Sequence, residues 1–345
     1  MQKEMAGLDR ERLDQLLIGA SRTFAINIPM LPDTLRDALT VGYLLLRNAD
    51  TIEDAYQWPR EQRLTELDEL HALMIDPDPE AAKRFAAHFS DVEPLPIPEH
   101  LELLRLTPYL LDQLKLLPPS YAAEVRSHVA RVIRRMQSWV GSHDKFNRLR
   151  LERLKDLDDY CYSVAGIVGE LITSLIGLYR PKLEKTRLLF MRTLETATGA
   201  GLQLTNIVKD VFRDHLEGRY YIPADYLPFD DGHSVDSIRP IIAYAYRNLC
   251  QGAEYACILP ESDCDIRKAV LVPLMLAVAT LVEVTGRLEA LFDGHDVKIS
   301  HETVAHLLAL ADRVAGDNAA VWKAWGEISG PLVNLGGRPI YSAFA

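Results

Sequence analysis

Apolar residues recur at threes and fours along almost the whole chain, a period that admits helices and little else. Arg10 to Ala20, Pro32 to Tyr56, Arg60 to Ile75, Pro79 to Ser90, His100 to Leu116, Ser120 to Val140 and Arg153 to Tyr179 all read as amphipathic helices. Strand-like alternation bounded by Asn-Gly or Asp-Gly turns is nearly absent. Prolines at 94, 96, 98, 118, 119, 181, 223 and 228 mark the expected loops. The expected fold class is all-α, as one continuous domain over residues 1–345, because no linker, low-complexity tract or repeat interrupts the pattern. Asp225 to Ile238 lacks a period and is expected to form a loop beside the motif that precedes it.

Charge narrows the partners. A net charge of −11 with no offsetting basic run repels nucleic acid, so no nucleic-acid partner is expected. Cys161, Cys250, Cys257 and Cys264 form no CxxC pair, and the last three recur every seven residues, as along one helix face. Buried free thiols in a reducing cytoplasm are expected. The N-terminus has no apolar signal core, and Ala269 to Val282 falls short of the roughly 20 residues that span a bilayer. That run contains Pro273 and reads as a buried core helix. A cytoplasmic protein is expected, with no signal peptide or membrane anchor and only peripheral membrane contact.

Two segments carry chemistry. In Tyr43 to Asp54, YLLLRNADTIED, the residues Arg47, Asp50 and Asp54 fall three and four apart and share a face of a helix that is otherwise apolar. Unpaired carboxylates drawn into a core cost several kcal/mol, so something must compensate them. In Gly201 to Pro223, GLQLTNIVKDVFRDHLEGRYYIP, the residues Gln203, Asn206, Asp210 and Asp214 repeat at three, four and four. Either pair alone could be a solvated helix face. Two such pairs in apolar contexts, each with basic residues within a turn, fit Mg²⁺, which takes one or two carboxylates and fills its other positions with water and phosphate oxygens.

With these blocks stand Ser21 to Ala25 (SRTFA), Tyr160 to Gly169 (YCYSVAGIVG) and a softer match at Val272 to Leu281 (VPLMLAVATL). Together they resemble the squalene/phytoene synthase family of head-to-head prenyl transferases. The resemblance implies a helical domain with a central cavity and two facing aspartate-rich helices at its mouth. It implies Mg²⁺ ligands at Asp50, Glu53, Asp54, Asn206, Asp210 and Asp214. Substrate contacts are implied at Ser21, Arg22, Phe24, Arg47, Ala165, Gly169, Gln203, Asn206, Lys209 and Arg219, with Tyr43, Tyr160 and Arg47 near the reacting carbons. For Ala165, Gly166 and Gly169, close helix packing and room for an isoprenoid tail both stay open.

Two positions depart from the family pattern. Ser163 stands where many members have a tyrosine, and Arg213 replaces an acidic residue of the second motif. The texture is nearest to squalene synthases, so the expected reaction joins two farnesyl diphosphates through presqualene diphosphate to squalene, with NADPH as reductant. Dehydrosqualene or phytoene synthesis, without the reductive step, is the alternative. A head-to-tail synthase would show DDxxD where this chain has DTIED. A terpene cyclase would use one substrate, and a non-catalytic assembly or binding member would show eroded aspartates.

Overall fold

The computed structural model describes residues 8–21, 23–90, 92–229 and 234–335. Helices dominate, and the chain's contacts fall into two units, Met1–His143 with Ser174–Pro181, and Asp144–Thr173 with Lys182–Ala345.

The first unit opens with α1 (Arg10–Ala20), the short α2 (Phe24–Asn27) and α3 (Asp33–Glu53). Pro32, Pro59 and Pro118 each stand just before a helix with extended backbone, starting α3, α4 (Arg60–Ile75) and α8. Proline is suited there because its fixed φ and missing N–H cost nothing at a helix entry. Between them run α5 (Pro79–His88), α6 (Pro98–Arg105) and α7 (Thr107–Leu116), and α8 spans Pro119–Gly141. α3 and α4 both pack on α8. Leu44, Leu45, Leu67, Leu70, Val129 and Ile133 are fully buried there, each contributing about 1.5–3 kcal/mol.

The one helix expected over His100 to Leu116 is broken at Leu106. Pro108 is the cause: it has no N–H to give, and the Thr107 hydroxyl takes the Leu104 carbonyl at 2.7 Å instead. The break is useful to α3. Buried Asn48 donates from Nδ2 to Thr107 Oγ1 at 3.0 Å, which sets the rotation of α3 and turns Arg47 and Asp50 away from the core.

In the second unit α9 (Leu154–Cys161) runs through a π-helical turn, Tyr162–Gly166, into α10 (Ile167–Tyr179), whose residues from Ser174 onward are counted with the first unit. Next comes α11 (Lys185–Leu216), 32 residues without a break. A two-residue parallel pair, β1 (Leu149–Arg150) with β2 (Arg219–Tyr220), closes the end of α11. These strands are too short to alter the helical class, which is as expected. α12 (Arg239–Ile258), α13 (Cys264–Gly286), α14 (Leu288–Phe292), α15 (His301–Val314) and α16 (Asn318–Ser329) complete the unit.

α11 packs most extensively on α12. Gly169 and Gly199 explain how closely α11 approaches the π-turn segment: a Cβ on Gly169 would lie 2.1 Å from the Glu195 carbonyl oxygen, and one on Gly199 would lie 2.1 Å from that of Ala165. α13 is 23 residues long, longer than its apolar core, and by length and composition it could cross a membrane, as could Leu154–Tyr179. Val272, Leu274, Met275, Val278 and Leu281 of α13 are buried in the unit, as expected of a core helix. The three evenly spaced cysteines do not share one helix. Cys250 and Cys257 are buried in α12, while Cys264 starts α13 and is exposed, because Pro260 to Asp263 end one helix and begin the next.

Candidate active site

The first carboxylate set lies on the last two turns of α3. Arg47 Nη1 stands 3.3 Å from Asp50 Oδ2, and these side chains are 24% and 33% exposed, so the pair sits at the rim of a buried stripe. Burial raises the Asp50 carboxyl from its ordinary value and the Arg47 charge only partly offsets this. For Arg47, burial acts to lower the pKa, yet Asp50, Tyr43 and Asp54 outweigh it and the guanidinium stays firmly charged. Arg47 Nη2 also donates to the Tyr43 hydroxyl oxygen at 2.5 Å. Tyr43 in turn donates to the Ala20 carbonyl at 3.4 Å and packs on Phe24, ring centroids 4.7 Å apart. Asp54 caps α3, its N–H donating to the Asp50 carbonyl at 2.8 Å, and Glu53 is buried at 5% exposure.

Ser21 ends α1, and its Oγ accepts from the Phe24 N–H at 3.1 Å, at the start of α2, where the Phe24 ring meets Tyr43. Arg22 lies outside the described residues. Thus Ser21, Phe24, Tyr43, Arg47, Asp50 and Asp54 form one connected group within the first unit.

The second set lies on α11. Asn206 is exposed and Gln203 half-buried on successive turns. Arg213 Nη2 stands 2.8 Å from Asp210 Oδ1 and Lys209 Nζ 3.3 Å from Asp210 Oδ2. Asp214 is buried and its Oδ1 accepts from Arg219 Nη2 at 2.5 Å and Nε at 3.0 Å. The β1–β2 pair makes this possible by holding Arg219 immediately beyond the helix. Burial pushes the Asp214 carboxyl up to about 6 despite Arg219, with Asp210 adding to the rise. Tyr160 is buried, its hydroxyl donating to Tyr221 at 3.4 Å. Ser163, fully buried, donates to the Asp159 carbonyl at 2.5 Å and leaves no phenol at that position. Ala165 and Gly169 are occupied by the helix contact with α11.

Among the described residues, no three of His, Cys, Asp and Glu are gathered as a ready-made metal cage. Mg²⁺ does not require one, since it keeps waters and substrate phosphate oxygens in its shell. The α3 set fits such an ion: Asp50 is reachable, is held above its ordinary pKa, and has one cation beside it. The α11 set fits it less well, because both oxygens of Asp210 and one of Asp214 already carry cationic partners.

Sequence reasoning missed Arg63 and His143. Arg63 is fully buried under the end of α3; its Nη1 donates to the Glu53 carbonyl at 2.7 Å, its Nη2 lies 2.9 Å from His143 Nδ1, and its guanidinium covers the Tyr56 ring at 4.9 Å. Nothing in the amphipathic pattern of α4 distinguishes it from a surface arginine. His100 was missed too; burial and then the Arg47 charge lower its pKa.

The fold and the site define an all-α protein in which two otherwise apolar helices each carry carboxylates beside basic side chains. The squalene/phytoene synthase family model matches residues 17–303, and the chain belongs to that family. It is 26% identical over 314 residues to the squalene synthase of Saccharomyces cerevisiae, covering 88% of this chain and 67% of the relative. It is 24% identical over 285 residues to that of Schizosaccharomyces pombe, covering 79% and 59%. The chain therefore spans between 59 and 67% of the length of these two yeast relatives. Among solved structures, a ligand complex of TcSQS is similar, with a TM-score of 0.75, 24% identity and coverage of 97% and 93%. A ligand-bound dehydrosqualene synthase follows at 0.59, with 20% identity and coverage of 88% and 95%. At such identities these structures speak for the fold alone.

Proposed function

We propose that this chain joins two farnesyl diphosphates head to head through presqualene diphosphate, and that squalene is the product when NADPH supplies a hydride. The observation that carries the reading is the Arg47–Asp50 pair, a partly exposed cation and carboxylate on a helix most of whose other positions are buried. The squalene synthases among its relatives support the same reaction class.

Mg²⁺, when bound, neutralises the diphosphate and lowers the barrier to its departure. In this reading Asp50, Glu53 and Asp54 hold that ion. Arg47, Gln203, Lys209 and Arg219 bind diphosphate oxygens, for which guanidinium and ammonium groups are suited. Tyr43, anchored by Arg47 and Ala20, and Tyr160, paired with Tyr221, are the two rings assigned to the reacting carbons. Apolar neighbours exclude the water that would quench an allylic cation. Ala165 and Gly169, while serving the helix contact, border the tail. The C30 product is a hydrocarbon, and release at a membrane surface belongs to the same proposal.

A second reading ends in proton loss and dehydrosqualene, without the reductive step. Incubation with farnesyl diphosphate and Mg²⁺, with and without NADPH, followed by hydrocarbon analysis, separates the two. Squalene formed only with NADPH supports the first, dehydrosqualene in both arms supports the second, and unconsumed farnesyl diphosphate contradicts both.

A further inference from the structure

Arg213, where the family pattern has an acidic residue, changes what the second set can hold. Its guanidinium lies on Asp210 Oδ1 at 2.8 Å, and the Lys209 ammonium lies 3.3 Å from Asp210 Oδ2. A divalent ion arriving at Asp210 would meet two fixed positive charges and would have to displace at least one of them. The buried Asp214 offers no easier seat, since Arg219 holds its Oδ1 from two nitrogens.

The same arrangement suits an anion. The Arg213 side chain is 60% exposed and the Lys209 side chain 30%, whereas Asp210 beneath them is 25% exposed. Asn206, exposed one turn earlier on the same face, adds an amide donor. The positive field reaches beyond α11: the Lys298 ammonium, 2.6 Å from Asp296, holds the Asp296 carboxyl below its ordinary range, and Arg213 and Lys209 add to that effect. Asp210 thus orients two cations, so two positive charges stand on one carboxylate there, while Asp214 with Arg219 and Asp296 with Lys298 are separately paired.

We propose that Asn206, Lys209 and Arg213 bind the substrate diphosphate directly, with Arg213 standing in for one divalent cation and Asp210 positioning the two basic side chains. This rests on the prenyl diphosphate reading of the site.

The test is calorimetric titration of the whole protein with inorganic diphosphate, first in EDTA and then in Mg²⁺. Wild-type protein is expected to bind diphosphate in EDTA within about tenfold of its affinity in Mg²⁺, and Arg213→Ala to weaken the EDTA value by about tenfold or more, as loss of a charge-assisted contact implies. Because the Arg213 side chain is largely exposed, the circular dichroism and melting temperature of Arg213→Ala should match wild type. Arg213→Asp should bind diphosphate only when Mg²⁺ is present. The proposal is overturned if wild type binds no diphosphate in EDTA, if Arg213→Ala binds as well as wild type, or if sulfate binds as tightly as diphosphate. Turnover of farnesyl diphosphate, measured in parallel, keeps the two questions apart. Turnover without binding in EDTA refutes the anion site alone, and Arg213-dependent binding without turnover refutes the reaction alone.

Discussion

Arg63 donates from Nη1 to the Glu53 carbonyl oxygen at 2.7 Å, so a fully buried cation on α4 closes the last turn of the helix that carries Asp50, Glu53 and Asp54. A positive charge at a helix C-terminus is favourable in itself, and here it also satisfies a carbonyl the helix leaves open. Arg63→Ala should cost about 2–4 kcal/mol, from the lost packing and from acceptors left at Glu53 and His143. Urea denaturation measures this as a lower midpoint with an unchanged slope. A midpoint equal to wild type would show that Arg63 does not hold the turn.

Gly199 gives a steric prediction. A methyl group there would lie 2.1 Å from the Ala165 carbonyl oxygen, which belongs to the backbone and cannot swing aside. Gly199→Ala should therefore destabilise the protein by about 1–3 kcal/mol or more, the range for overpacking, despite the better helix propensity of alanine. Thermal melts beside Gly141→Ala, where a Cβ meets nothing within 4 Å, provide the comparison. Equal melting temperatures for the two variants would contradict the close crossing.

Asp144 gives the pH dependence. Its carboxylate accepts from the Phe146 and Arg148 N–H groups and from Arg148 Nε, and these bonds, the Arg148 side chain foremost, hold its pKa down to about 2. Between about 2 and the ordinary 3.8 the unfolded chain binds the proton more tightly, so stability rises with pH across that window. The contribution is complete above 3.8 and is lost as pH falls through 2. Carboxyl NMR titration of the folded protein checks this directly, and a midpoint near 3.8 would refute it.

The helical class and the faces of α3 and α11 were legible because apolar periodicity and charge spacing are local properties. The Arg47–Asp50 contact followed from residues three apart on one helix. The break at Leu106 was readable in principle from Pro108, but a longer apolar period masked it. Arg63, His143 and the Arg219–Asp214 pair were not legible, since each joins elements whose meeting no periodicity encodes. The π-turn at Tyr162–Gly166 was hidden for a related reason: its small residues answer to Gly199, more than thirty residues away in sequence. Even Arg213, noticed as a departure, acquired a role only once its guanidinium was seen on Asp210.

The central claim is that the α3 carboxylates hold the ion that releases diphosphate. Release of inorganic diphosphate from farnesyl diphosphate, followed across a Mg²⁺ titration for wild type and Asp50→Asn, tests it most directly. Wild type should release diphosphate only with Mg²⁺, and Asp50→Asn should be slower by about a hundredfold or more, as for loss of a group acting on transition-state charge, while its circular dichroism matches wild type. Release by Asp50→Asn at the wild-type rate, or Mg²⁺-independent release by wild type, would contradict the account.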